Sequence, residues 1–541
     1  MNRVQRAIIS VFDKTGIVEL ASELHALGIQ ILSTGGTSAA LKQKGIPVTE
    51  ISQFTGFPEM MDGRVKTLQP KIHGGILAVR DNPEHLRQMK ENQIEPIDLL
   101  IVNLYPFEAT IKKSGVSFED AIENIDIGGP AMLRSAAKNH RFVGVVVNPN
   151  HYEKLLKELK ANNNILSQDF KRELAIEVFE TTSIYDGMIA DYLKKQSNKD
   201  GLRDLISLGL KKVVSCRYGE NPHQEGALYE LKQAGEPGLS EAKQLHGKEL
   251  SYNNIMDLSA AFTMARDFEE PTVVMIKHGN PCGLSSSSDI EEAFLNAWSG
   301  DPMSAFGYVI GINRVVTVAL ANKLGSKEFL DEVVMPKFRS ESSLDVTVLA
   351  AFVEAIIAPG YELDAFEILS RKKNLRIMEQ PSFYSKSNQK RMQFRSVPGG
   401  MLVQNSDDGL VAPKDYQFPT EIKPNATELD SLSFADKVAK HVKSNAIVLV
   451  QGKTLVGVGA GQMSRFDSCK IAAEKAGKRA QGAILASDAL FPSRDGLDAA
   501  VQTGAIAIIQ PGGSVRDDEV IAAANELKVP MVFTGMRHFL H

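Results

Sequence analysis

Over the first 150 residues, short apolar runs alternate with helix-length stretches, and few folds accommodate such an alternation. RAIISVF, IQILSTGG, GGILAV, DLLIVNLY and FVGVVV are each strand-sized, and the pattern between the first of them predicts helices from about Lys14 to Leu27 and on to Gly45. Strands separated by helices at this spacing build a parallel sheet covered on both faces. Residues 151–200 are charged and helix-forming from HYEKLLKELK to DYLKKQSNK, and read as a helical extension. From residue 201 the texture is again mixed α/β, with VVMIKHG and EAIIAPG in one stretch and AIVLVQG, GAILASD and IAIIQPG in another. At 541 residues the chain exceeds what one core supports. The expected organisation is α/β: a domain over 1–200 and a second over 201–541. The second holds two similar subdomains, each with a sheet, at 201–375 and 426–541, joined by a polar linking region at 376–425.

Several classes are disfavoured. A net charge of -5 gives no basic footprint for nucleic acid. No apolar run approaches the roughly 18–20 residues of a membrane span, and MNRVQRAIIS does not resemble a cleavable signal. The three cysteines, Cys216, Cys282 and Cys469, are too few and too scattered for a disulfide framework, so a reducing cytoplasm is the expected compartment.

The stretch ILSTGGTSAAL is a strand, a glycine pair flanked by hydroxyls, and a helix start. Gly35 and Gly36 permit close backbone approach, Thr34 and Thr37 supply hydroxyls, and a helix N-terminus attracts anions. Alone, it is also what an ordinary capped βα turn looks like. It matches neither the Walker loop nor GxGxxG. Its company is more telling: Lys14 follows the first strand, and DGRVKTLQPKIHGG gathers Arg64, Lys66, Thr67, Lys71 and His73. Loops at the carboxyl ends of sheet strands share one crevice, so a phosphorylated small molecule is expected there. The same crevice should receive Asn103 and Tyr105 from VNLYPF and Asp126 from ENIDIGGP, with Lys138 following in RSAAKNH.

In the second region, Arg217 and Tyr218 of CRYGENPHQ could clamp a planar anionic ligand. Arg465 in GAGQMSRFD and Arg537 in MRHFLH also sit in glycine- or aromatic-rich loops. Residues 273–284, VVMIKHGNPCGL, read as a buried strand ending in two titratable side chains, Lys277 and His278, before a contorted loop. Zinc is rejected here: His278-Gly279-Asn280 lacks the glutamate of H-x-E, and Pro281-Cys282-Gly283-Leu284-Ser285 lacks the second cysteine of P-C-x-x-C. No metal site is expected.

Taken in order, STGGT, GFPEMMDGRVKTL, NLYPF, DIGGPAMLRSAAKNH, RYGENPHQ, KHGNPCG, GAGQMSR and SDALFPSRDG resemble one family across essentially the whole chain. It is the bifunctional purine-biosynthesis family that joins 5-aminoimidazole-4-carboxamide ribonucleotide (AICAR) formyltransferase to inosine monophosphate (IMP) cyclohydrolase. The resemblance implies an N-terminal domain like methylglyoxal synthase and two cytidine-deaminase-like subdomains without zinc. It also implies 10-formyltetrahydrofolate as co-substrate and a homodimer with active sites across its interface. A structural monovalent cation would be held by backbone carbonyls, which leave no mark in a sequence.

By position, the resemblance makes His278 the general base and Lys277 the oxyanion stabiliser of formyl transfer. Adjacent residues of a strand point to opposite sides, so the Gly-Asn-Pro loop is expected to end the strand and let both reach one substrate. Arg217, Tyr218, Asn254, Gly307, Asn445, Arg465 and Arg537 take the place of AICAR contacts. Met303, Glu354, Phe466, Asp495 and Ser514 take that of the folate pocket. In the first domain, Lys14, Thr34, Gly36, Thr37, Arg64, Lys66 and Thr67 resemble the phosphate cradle, and Lys66, Tyr105, Asp126 and Lys138 the ring-closing residues. Phe12, Leu490 and Ser493 depart from the family pattern, near Lys14 and in the folate region. Two other classes stay open: a phosphosugar lyase or sensor with a C-terminal dimerisation region, and a non-catalytic nucleotide-binding regulator.

Overall fold

The computed structural model describes residues 3–113, 115–197, 201–231, 238–304, 306–342, 344, 351–385 and 391–541. The chain divides into two units, Met1–Leu210 with Leu231–Gln233, and Lys211–Glu230 with Ala234–His541.

The first unit is built on β1 (Arg6–Val11), β2 (Gln30–Ser33), β3 (Thr49–Glu50), β4 (Leu99–Asn103) and β5 (Gly144–Val146). They form one sheet in the order β3-β2-β1-β4-β5, every pair parallel. Ile8 lies between Leu32 and Leu100 in register, and Ala7, Ile8 and Ile9 are buried, as a strand covered on both faces requires. The strand order reverses between β1 and β4, which opens a crevice at their carboxyl ends. The helices Gly35–Gln43, Pro70–Leu77 and Gly128–Lys138 follow in the chain, and Gln168–Gln196 packs on the last of them.

One expected strand is a helix. GGILAV supplies the last residues of the helix Pro70–Leu77, started by Pro70 in its first turn and by the Gln69 side chain, which accepts the Lys71 N–H at 2.5 Å. Its glycines are demanded by contact: a β-carbon at Gly75 would stand 2.5 Å from the Glu95 carbonyl oxygen.

The second unit contributes β6 (Leu210–Ser215) and β7 (Ala227–Leu231) as a separate two-stranded sheet. Its main sheet draws on β8 (Lys243–His246), β9 (Thr272–Lys277), β10 (Asn280–Ser286), β11 (Tyr308–Ile312), β12 (Val353–Ala358) and β13 (Arg376–Glu379). A ribbon of β14 (Met392–Val397) and β15 (Gly400–Asn405) follows, then β16 (Ile447–Gln451), β17 (Thr454–Gly459), β18 (Ile484–Ser487), β19 (Ala507–Gln510) and β20 (Met531–Phe533). Instead of one sheet for each half, the structure has a single eleven-stranded sheet, β20-β19-β18-β16-β17-β10-β9-β11-β12-β13-β8.

The internal repeat is explicit in this order. β10-β9-β11-β12-β13 and β17-β16-β18-β19-β20 each run as a hairpin, an antiparallel step and two parallel steps. The helices ahead of the two hairpins, Tyr252–Ala265 and Ala426–Ala439, both begin with a capping box. The stretch expected as a linker, 376–425, holds β13 within the main sheet and the β14–β15 ribbon; residues 386–390 lie outside the described residues.

The halves join where Ser285 of β10 faces Thr454 of β17 in antiparallel register. The two halves therefore run in opposite senses. The carboxyl ends of β9, β18 and β19 share one sheet edge with the amino ends of β11, β12 and β16.

The edge of the first sheet away from its crevice is held by a buried ion pair. Asp98 accepts the N–H groups of Gln5 at 2.8 Å and Arg6 at 2.9 Å and pairs with Arg80, both side chains under 10 % exposed (6 % and 7 %). Arg80→Ala strands that carboxylate, so the first unit should lose about 3–5 kcal/mol of unfolding free energy. Denaturant unfolding checks this, and a loss below about 1 kcal/mol would mean water replaces the guanidinium.

Candidate active sites

In the first unit the loops after β1, β2 and β4 meet as the strand order requires. Asn103 at the end of β4 accepts the N–H groups of Phe12 at 2.6 Å and Asp13 at 3.1 Å, and donates to the Asp13 carbonyl at 2.9 Å. Thr37 bonds the backbone of Val11 in both directions, at 2.9 and 3.1 Å. Both side chains are thereby spent on shaping the loop that carries Lys14.

Lys14 and Lys66 then converge on one helix start. A β-carbon at Gly36 would stand 4.0 Å from the Lys14 Nζ, and one at Gly35 3.9 Å from the Lys66 Nζ. These glycines open the helix Gly35–Gln43, where Thr34 makes no capping hydrogen bond with its hydroxyl. Its first N–H groups have no helical acceptors. Two ammonium groups facing the positive end of a helix repel it and each other, and an anion relieves both. Lys66 is partly balanced by Glu59 at 2.8 Å, while Lys14 donates to the Phe12 carbonyl at 3.4 Å and adjoins Asp13. Thr67 adjoins the neighbouring helix start: a β-carbon at Gly128 would stand 2.8 Å from its Oγ1. Arg64 is paired with Glu123 at the surface.

Asp126 completes the cluster. It accepts the Gly129 N–H at 2.8 Å, and burial raises its carboxyl above the ordinary value. Tyr105 is exposed, its ring edge-on to Phe12 at 5.5 Å. Phe12 therefore meets Tyr105 with its ring and Lys14 with its carbonyl. Lys138 does not join this group. It lies in the last turn of Gly128–Lys138, about 15 Å along the axis from the first turn beside Asp126.

In the second unit Lys277 closes β9, and Lys277 pairs with Asn280 across a two-residue turn. Both turn residues, His278 (φ 53°) and Gly279 (φ 76°), are left-handed, as a type I′ hairpin demands. The strand does end at Lys277, but the loop is shorter than expected. Asn280 and Pro281 already belong to β10, with the register shift at Pro281–Gly283 accommodating the proline. The Lys277 ammonium donates to the Phe306 carbonyl. Next to it, a β-carbon at Gly307 would stand 4.0 Å from the Glu354 carboxylate, which pairs with Arg376 at 3.3 Å. Met303 is exposed nearby in the chain.

Asn280 also accepts the Lys443 N–H at 3.1 Å, tying the hairpin to the second half. Beyond Lys443, Asn445 donates to the Gln462 carbonyl at 2.9 Å and lines a cavity of about 380 Å³ with Ser444, Gly461, Phe539 and His541. Arg537 lies over the Phe539 ring at 4.3 Å. Arg217 stacks on Tyr218 at 4.8 Å, and their loop is held by Asn253, which donates to the Glu220 carbonyl at 3.3 Å.

Two expected ligand contacts are occupied internally. Asn254 is the third helical residue of the capping box with Ser251. Arg465 donates to Ser487 at 2.8 Å, Asp488 at 2.9 Å and the Leu490 carbonyl at 3.2 Å. Phe466 lies under the Lys470 ammonium at 4.3 Å. Asp495 is held low by the Ser493 hydroxyl, and the Ser514 hydroxyl accepts the Arg516 backbone N–H at 3.1 Å. Ser514 follows β19, which lies five strand spacings from β9, about 24 Å. Among the described residues no three His, Cys, Asp or Glu side chains are placed to hold a metal ion.

Two positioning residues escaped the sequence reading. Asp257, in the helix Tyr252–Ala265, accepts the Gly279 N–H at 2.7 Å. Tyr185, in the helix Gln168–Gln196, accepts the Asp126 N–H at 2.8 Å. The sequence signal for the hairpin was present, a His-Gly pair between two apolar runs; nothing singled out Asp257 or Tyr185.

These features define a two-site α/β protein, with ammonium groups at strand ends in both units. A family model described as "AICARFT/IMPCHase bienzyme" matches residues 136–347 and 343–475, and one described as "MGS-like domain" matches 16–131. The chain is 48% identical over 538 residues to the "Bifunctional purine biosynthesis protein PurH" of Acetivibrio thermocellus, covering 99% of this chain and 100% of that one. It is also 48% identical over 537 residues to the protein of that name from Bacillus cereus strain AH187, with the same coverage. A solved structure, "Crystal structure of ForH", is 36% identical over 34% of this chain and 97% of its own, at a TM-score of 0.32. The chain belongs to the AICARFT/IMPCHase bienzyme family.

Tyr185→Phe leaves the Asp126 N–H without its acceptor, so the first unit should lose about 1–3 kcal/mol of stability. Thermal unfolding measures it, and an unchanged midpoint would show that the loop at Asp126 holds itself.

Proposed function

We propose that this chain is a bifunctional enzyme of purine biosynthesis whose second unit formylates AICAR and whose first unit closes the product to IMP. In the transfer, the 5-amino nitrogen of AICAR attacks the formyl carbon of 10-formyltetrahydrofolate. The bond from that carbon to N10 breaks, and N10 takes a proton. His278 accepts the proton lost by the amine, and Lys277 stabilises the oxygen that becomes negative. Support comes from the hairpin: the strand stops after Lys277, which frees His278 from the alternation that would send it to the opposite face.

In the ring closure, the carboxamide nitrogen attacks the formyl carbon and the former carbonyl oxygen leaves as water. Lys14 and Lys66 at the start of Gly35–Gln43 hold the phosphate, and this convergence is the observation that carries the reading for the first unit. Asp126, raised by burial, moves the proton, with Tyr105 and Lys66 beside the reacting oxygen. The reaction is intramolecular once the formamide is oriented, so positioning supplies much of the rate. Lys138 is left outside this mechanism by its place at the far end of its helix.

The folate pocket needs a second copy of the chain in this reading. Met303 and Glu354 belong to the region of Lys277, whereas Asp495 and Ser514 belong to loops several strands away. A homodimer that sets the second half of one copy against the first half of the other unites them. The β14–β15 ribbon exposes Met401 and Leu402, which fits such a contact. The expected location is the cytoplasm; among the described residues no helix is long and apolar enough to cross a membrane.

Two variants separate the sites. His278→Ala should abolish tetrahydrofolate release while IMP still forms from supplied formyl-AICAR; Asp126→Asn should do the reverse, with losses of about 10²-fold or more. If either variant lost both reactions while folded, the two-site assignment would fail.

A further inference from the structure

We propose that Asp257 is the positioning residue of the transfer site: by taking the backbone N–H of Gly279, its carboxylate holds the turn that presents His278. This deepens the transfer reading above and rests on it.

A left-handed conformation is unusual for a residue with a β-carbon, and it persists where the surroundings over-determine it. His278, with φ 53°, is such a residue, and glycine follows it. Within the turn, the closing Lys277–Asn280 pair is supplemented only weakly by Asn280, which reaches the His278 carbonyl at 3.4 Å. Asp257 supplies the restraint from outside the hairpin. Its Oδ1 accepts the Gly279 N–H at 2.7 Å. That bond fixes the peptide plane between His278 and Gly279, the centre of the turn.

The helix beneath is rigid enough to act as a mount. Ser251 and Asn254 cap it reciprocally, and Leu258, Ala261 and Phe262 are buried in the core shared with β9 and β11. Asp257 precedes Leu258 and is half-buried, and burial raises its carboxyl above the ordinary range. The opposing influence comes first from the Gly279 N–H. Glu354 faces Asp257 from β12, and the Lys443 ammonium adjoins Gly279.

Two substitutions separate the roles of Asp257. Asp257→Ala removes the acceptor. A displaced base of this kind costs about 10²-fold, so kcat for formyl transfer should fall by that order, with KM for AICAR within about 3-fold. Asp257→Asn keeps Oδ1 as an acceptor and should recover most of kcat.

Thermal unfolding of each variant reports whether the second unit is folded, since ring closure belongs to the first. Asp257→Ala with wild-type transfer would overturn the proposal, as would a folded Asp257→Asn as slow as Asp257→Ala. His278→Ala run alongside distinguishes the two failures. If it transfers normally, the reading of the site falls; if it is inactive while Asp257→Ala is not, only the role of Asp257 falls.

Discussion

The hydroxyls of Ser285 and Thr454 meet at 2.9 Å across the seam between β10 and β17, and the direction of that pairing decides where chemistry can sit in the second unit. Had the repeated halves joined in parallel, their equivalent edges would coincide. Joined antiparallel, they bring unlike edges together. The Lys277–Asn280 hairpin of the first half thus lies beside Lys443 and Asn445, which lead into β16. The usual expectation for α/β sheets, ligands at the carboxyl ends of strands, therefore holds for β18 and β19 and is inverted for β11 and β12. Glu354 and Gly307 sit at amino ends, yet on the same sheet edge as the Lys277–Asn280 turn.

The first unit relies on a different constraint. Its crevice follows from the strand order alone, and the proposed anion site within it depends on small side chains at the helix start. Gly35 and Gly36 let two lysines approach the helix backbone to distances a β-carbon would crowd. The polar residues around them divide by task. Asn103 and Thr37 shape the β1 loop and have little capacity left for a ligand, while Lys14, Lys66 and Asp126 remain directed at the crevice.

How much of this was legible in the sequence depends on whether a residue's task is local. The runs at β1, β2, β4 and β5 were readable because a strand buried on both faces is apolar throughout. GGILAV was misread because a short apolar run fits a buried helix equally well, and the deciding signals, Gln69 and Pro70, lie outside it. The family motifs located Lys277 and His278. They could not show that Asn254 and Arg465 would be engaged within the protein, since that depends on Ser251, Ser487, Asp488 and Leu490 being where they are. Asp257 was illegible for the same reason: its partner is a backbone N–H 22 residues away.

Backbone conformation ties the two sites together more closely than their chemistry does. Seven described residues other than glycine have positive φ: Met61, Asp62, Gln93, Asn163, Asn164, His278 and Lys528. Gln93, Asn163, Asn164 and Lys528 lie just beyond the ends of the helices Pro83–Glu91, Tyr152–Ala161 and Asp517–Glu526, where a left-handed residue commonly terminates a helix. Met61, Asp62 and His278 end no such helix. The first two shape the loop that delivers Lys66 to the anion cradle, and the third is the proposed base. Each such residue costs about 1–3 kcal/mol, and in both places a carboxylate stands against the charged loop: Glu59 beside Lys66, Asp257 beneath His278. Among the described residues, left-handed non-glycine backbone that ends no helix is thus confined to the two loops that carry Lys66 and the proposed base.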